Sequence, residues 1–83
     1  MKTDDLTELV LTCLKRVAPE VDVDKLDAHR TFQEQINFDS VDFLSFIMTL
    51  EESLGVRISE VDFPKLSNLE GCISYLSTVG RRP

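Results

Sequence analysis

The sequence has no apolar run long enough to cross a bilayer, and its start, Met1-Lys2-Thr3-Asp4-Asp5, lacks the charged-then-apolar layout of a secretory signal. These absences predict a cytoplasmic protein with no membrane insertion. Bases are scarce as well. Nine Lys and Arg stand against fifteen acids, a net charge of −6, which argues against nucleic acid and towards a protein partner with a basic surface. The imbalance is concentrated between Glu20 and Asp62, where eleven acids face three bases. Cysteine is limited to Cys13 and Cys72, far apart on apolar helical faces, so packed, reduced thiols are expected instead of a disulfide or a ligand pair. The one histidine, His29, lies in a loop, and no Gly-x-Ser-x-Gly elbow surrounds Ser40. Asp22-x-Asp24 is followed by Leu26 and Asp27 where a calcium loop needs a ligand and a glycine. Neither a hydrolytic triad nor a metal site is expected, and the chain does not read as an enzyme. At 83 residues it should form one domain, 1–83, with a small core and no deep substrate cleft.

What is present is helical, with no strand alternation, repeat or low-complexity tract. Thr3 is a plausible N-cap, Asp4 and Asp5 suit the first turn, and Leu6, Leu9, Val10, Cys13, Leu14 and Val17 repeat at helical spacing. Lys15 and Arg16 complement the end of this first helix, which Pro19 stops near Ala18. Glu20 to Asn37 has no sustained period and reads as a long loop anchored by Leu26, Phe32 and Ile36, with a short helical turn over Thr31 to Ile36. Asn37 is a turn signal because asparagine tolerates a left-handed backbone.

The second helix is expected over Ser40 to Leu54, capped by Asp39 and ended by Gly55 in the left-handed conformation. Val41, Leu44, Ile47, Met48, Leu50 and Leu54 form a broad apolar face that Phe43 and Phe46 widen, so this helix should lie at the centre of a bundle. Ser59 opens a short third helix limited by Pro64. Ser67-Asn68-Leu69-Glu70 matches a capping box ahead of a fourth helix carrying Leu69, Cys72, Ile73, Leu76 and Val79. Gly80-Arg81-Arg82-Pro83 has nothing apolar to bury, so 79–83 should fray. The expected fold is all-α: a small four-helix bundle with three longer helices, one short third helix and a long loop between the first two.

Within this layout Phe38-Asp39-Ser40-Val41-Asp42 is the informative segment. With Asp39 as N-cap, Ser40 takes the first helical position, where amide dipoles converge and an attached phosphate would be stabilised. Taken alone, the pattern also suits a plain helix start. Glu51 and Glu52, near the negative end of the same helix, each cost a few tenths of a kcal/mol there, a hint of use elsewhere.

The order of elements, Phe32 in the loop, Ile36-Asn37-Phe38-Asp39-Ser40-Val41, and Leu50-Glu51-Glu52 with Leu54 and Ile58 resemble the acyl carrier protein family over nearly the whole chain. The resemblance implies that Ser40 carries 4′-phosphopantetheine taken from coenzyme A, and that Asp39 helps hold Mg²⁺ in the complex with the phosphopantetheinyl transferase. It implies acyl groups held as thioesters for acyl-transferring or synthase enzymes of fatty-acid, lipid or polyketide type. Basic patches of those enzymes would dock on Val41, Asp42, Met48, Glu51 and Glu52, with the carrier acting as a monomer. Leu50, Ile58, Leu66 and Cys72 would shelter the acyl chain. Val41, Asn37 and Ser45 depart from the family pattern and leave the pathway open. Two alternatives stand beside this reading: a noncovalent acidic helical adaptor, and a peptidyl or aminoacyl carrier of the same fold.

Overall fold

The computed structural model describes residues 3–79, apart from the side chain of Thr3. The capping expected of Thr3 and the tail expected beyond Val79 lie outside the described residues. The architecture is all-helical: α1 spans Thr3–Val17, a one-turn α2 spans Phe32–Gln35, α3 spans Ser40–Leu54 and α4 spans Leu69–Val79. Two 3₁₀ segments, Val23–Lys25 and Glu60–Leu66, complete the order.

Local chemistry accounts for most boundaries. Asp4 and Asp5 lie in the first turn of α1 and Lys15 and Arg16 in its last, each sign against the opposite end of the helix dipole. Thr31 caps α2 by accepting from the Glu34 amide at 3.2 Å. Gly55, at φ 65°, ends α3 in the left-handed region and is the one described residue with positive φ. Asn37 therefore keeps an ordinary backbone, and the turn signal read from it is not used.

Two termini differ from expectation. The Glu60–Leu66 helix runs through Pro64, because the proline's fixed φ lies within the 3₁₀ range and costs only a donor. Ser59 precedes it without a side-chain cap. At α4 the cap is Asn68, not Ser67: its Oδ1 accepts from the Gly71 amide at 2.7 Å. Glu70, expected to complete the box, pairs instead with the His29 imidazole across the long loop. Gly71 is required where it stands, since a Cβ there would overlap the Lys65 carbonyl oxygen and approach Asn68 Oδ1 to 2.9 Å.

One contiguous core gathers Leu6, Val10, Cys13 and Leu14 of α1, Phe46, Ile47 and Leu50 of α3, and Leu69, Cys72 and Leu76 of α4. The element flanked by both other long helices is α1, which packs on α3 and on α4, so α3 is not the central spine expected from its apolar circumference. The loop between α1 and α3 is stitched to the head of α4. Phe32 N donates to Ser67 O at 2.9 Å, Glu70 N to Ala28 O at 3.0 Å, and Asn68 Nδ2 to His29 O at 3.3 Å. On the other side, Tyr75 of α4 donates to Asp62 at 2.7 Å and holds the 3₁₀ helix in place.

Candidate functional site

The head of α3 is built by a buried anchor and a reciprocal cap. Phe38 is buried against the rings of Phe32 and Phe46, with centroids 5.7 and 6.0 Å away, so the backbone is fixed two residues before Ser40. Asp39 Oδ1 then accepts from the Asp42 amide at 2.8 Å, and Asp42 Oδ2 accepts from the Asp39 amide at 3.2 Å. Both halves of a capping box are present. The three-residue spacing of the two aspartates is the sequence signal for this reciprocity, whereas the family resemblance assigns Asp42 to docking. Ser40 follows as the first helical residue, exposed. Among the described residues its hydroxyl makes no hydrogen bond, and the Ser40 and Val41 amides are left without a protein acceptor. Asp39 spends one carboxylate oxygen on the cap, and the other makes no hydrogen bond among the described residues.

The arrangement presents an unencumbered hydroxyl on a rigid mount, with two amide donors for an anion beside it. The one imidazole, His29, is engaged with Glu70.

The rest of α3 divides what the sequence had grouped. Phe46, Ile47 and Leu50 are buried, Phe43 and Leu54 are half-buried, and Val41, Leu44 and Met48 are 70%, 49% and 59% exposed. Spaced by three and four, these last three make one apolar stripe running from the turn of Ser40. Helical spacing alone puts Leu44 in one broad face with the buried residues. Periodicity could not separate the two stripes, because a helix apolar on most sides does not reveal where its neighbours lie. Phe43 turns inward, with its ring 5.7 Å from Phe63, while Ser45 is exposed. The acids divide as well. Glu52 is exposed, but Glu51 is half-buried, with Oε2 accepting from the Ile58 amide at 2.8 Å. That bond ties the segment after α3 back onto the helix and gives Glu51 a structural reason to stand near the negative end.

Both thiols are free and buried. Burial pushes the Cys72 thiol up to about 12 from 9.0, and it donates to Leu66 O at 3.3 Å. Cys13 Sγ contacts Ser53 Oγ at 3.5 Å. Among the described residues no helix is long and apolar enough to cross a membrane.

A small helical fold that presents an exposed serine hydroxyl at the capped head of a long helix has the make-up of a carrier. Comparison with known proteins agrees. The family model described as phosphopantetheine attachment site matches residues 7–76. The acyl carrier protein of Chlamydia felis is 40% identical over 58 residues, covering 70% of this chain and 74% of that protein. Those of Bdellovibrio bacteriovorus and Thermosynechococcus vestitus are each 33% identical, over 61 and 57 residues. They cover 74% and 69% of this chain, and 78% and 70% of their own lengths. The chain belongs to the acyl carrier protein family of phosphopantetheine-bearing proteins.

Proposed function

We propose that Ser40 is the residue that carries 4′-phosphopantetheine, and that the chain delivers acyl groups to biosynthetic enzymes of fatty-acid, lipid or polyketide type. The observation that carries this reading is the exposed, unbonded Ser40 hydroxyl at the capped head of α3. In the modification step Oγ bonds to a phosphorus of the coenzyme A pyrophosphate and the bridging P–O bond breaks. The nucleotide leaves with the electron pair, and the Oγ proton passes to a base of the transferase. Phe38 and the Asp39–Asp42 box hold Oγ in place for that attack, which lowers its entropic cost. The Ser40 and Val41 amides then face the phosphodiester anion, a stabilisation of about 0.3–1 kcal/mol at an exposed site. The free oxygen of Asp39 suits Mg²⁺ in the transferase complex, so capping and metal contact coexist. When bound, the group supplies a terminal thiol that holds acyl intermediates as thioesters.

Docking falls to the exposed stripe of Val41, Leu44 and Met48, bordered by Asp42 and Glu52, against an apolar patch with a basic rim. Glu51, already engaged with Ile58, contributes charge more than contact. The reading has the chain working as a monomer in the cytoplasm, which two free, buried cysteines in place of a disulfide support.

The test is to incubate the protein with coenzyme A, Mg²⁺ and a broad-specificity phosphopantetheinyl transferase and weigh the intact chain. Wild type is expected to gain one phosphopantetheine mass, and Ser40→Ala none while folding as before. No gain in wild type with several transferases would favour a noncovalent adaptor.

A further inference from the structure

We propose that the polar groove between the Glu60–Leu66 helix and α4 is a second docking site, which takes an extended acidic segment of the partner enzyme and so fixes the carrier's orientation on it. The inference rests on α3 being the docking helix and adds a contact of opposite sign. The groove holds about 710 Å³ and is lined by Arg57, Ser59, Lys65, Ser74 and Thr78, with Val79 as its one aliphatic side chain. No residue of α3 lines it. Arg57 is exposed, and its guanidinium has no acceptor among the described residues. Lys65 Nζ lies 3.2 Å from Asp62, which also accepts from Tyr75 at 2.7 Å, so the one carboxylate among the described lining residues is already engaged. The Ser59 and Ser74 hydroxyls make no hydrogen bond among the described residues and remain as donors.

Charge selects the sign of the ligand. The chain carries −6 overall, yet from Phe63 to Pro83 three bases stand against Glu70 alone, so the bases that the middle of the chain lacks are gathered in this part of the sequence. Shape selects an extended peptide. Gly71, Ser74 and Thr78 follow one face of α4 over about 10 Å of helix axis, the length of three extended residues at about 3.3 Å each. A small-molecule site is mostly apolar, whereas these walls are charged groups and hydroxyls. A second copy of the chain brings the same net charge and is repelled at long range. An acidic segment on an enzyme whose basic patch already holds α3 is presented at an effective concentration on the order of millimolar, which offsets that repulsion. Two contacts of opposite sign then admit one orientation.

The experiment titrates the unmodified chain with acetyl-Glu-Asp-Glu-Glu-amide and follows backbone shifts, beside the neutral peptide acetyl-Gln-Asn-Gln-Gln-amide. The acidic peptide is expected to shift Arg57, Ser59, Ser74 and Thr78 and to leave Val41 and Met48 unmoved. Arg57→Gln should weaken it about threefold to tenfold while unfolding at the wild-type temperature, and added salt should weaken wild type more than the variant. The proposal is overturned if the neutral peptide shifts the same amides equally, if Arg57→Gln binds as wild type does, or if these four residues do not shift. Inorganic phosphate saturating the groove at the peptide's concentration would assign it to a small anion, and the same amides moving on dilution of the chain alone would assign it to a second copy; either result overturns the proposal. With an acyl-transferring enzyme, Arg57→Glu should weaken binding about threefold or more, although its added negative charge favours a basic patch, and tighter binding overturns the proposal. Should Met48→Glu bind that enzyme as wild type does, the α3 reading fails by itself, and the peptide titration still decides the groove.

Discussion

At the scale of single residues, positions that look inert in sequence carry stability. Gly71 is one: the helix propensity of glycine is poor, yet here a methyl group has no space beside the Lys65 carbonyl. Gly71→Ala is expected to lower stability by about 1–3 kcal/mol in urea unfolding, the opposite of the usual gain from Gly→Ala in a helix. Cys72 is another. The folded state keeps its thiol protonated up to about 12, whereas an unfolded chain releases that proton near 9.0. The contribution is therefore full below pH 9 and is lost as pH rises from 9 towards 12, by about 1.4 kcal/mol per pH unit. A Cys72→Ala variant should show a shallower loss of stability over that alkaline range. The same burial has a functional side. At neutral pH a maleimide should leave the native unmodified chain unlabelled and label both cysteines once it is denatured, so the arm's thiol has no competitor on the surface.

At the scale of elements, α3 carries two apolar stripes. Phe46, Ile47 and Leu50 hold it to the core, and Val41, Leu44 and Met48 are left facing water. Met48→Glu is expected to weaken binding to acyl-transferring enzymes about tenfold or more with the melting temperature unchanged, read by titration and thermal unfolding in parallel. The two glutamates should separate in the same assays. Glu52→Lys should reduce partner affinity alone, while Glu51→Lys also frees the Ile58 amide and should cost about 1–3 kcal/mol of folding stability. The sequence set the start and end of this helix well, through Asp39 and Gly55. It could not assign its faces, because the positions of α1 and α4 are not a local property.

At the scale of the whole molecule, charge and anchoring are distributed unequally. A net charge of −6, with its acids concentrated between Glu20 and Asp62, predicts that association with basic partners slows steeply as salt rises from low to physiological concentration. Stopped-flow rates across a salt series should show the slope, and Glu52→Lys should flatten it. The long loop, which has no periodicity, is held by hydrogen bonds to residues some forty positions later, such as Asn68 to the His29 carbonyl. The loop is therefore held against the head of α4.

By itself the sequence determined what is local: the helical periods of α1, α3 and α4, the Asp39 cap, the Gly55 stop, and a serine at the mouth of α3. These depend on residues three or four apart, and chain chemistry alone specifies them. Only the tertiary structure decided which apolar stripe of α3 is buried, that Asn68 rather than Ser67 caps α4, that Glu51 is tied to Ile58, and that five scattered phenylalanines meet in one cluster. Each of those depends on which distant groups compete for the same space or the same donor, and that competition is settled only when the helices pack.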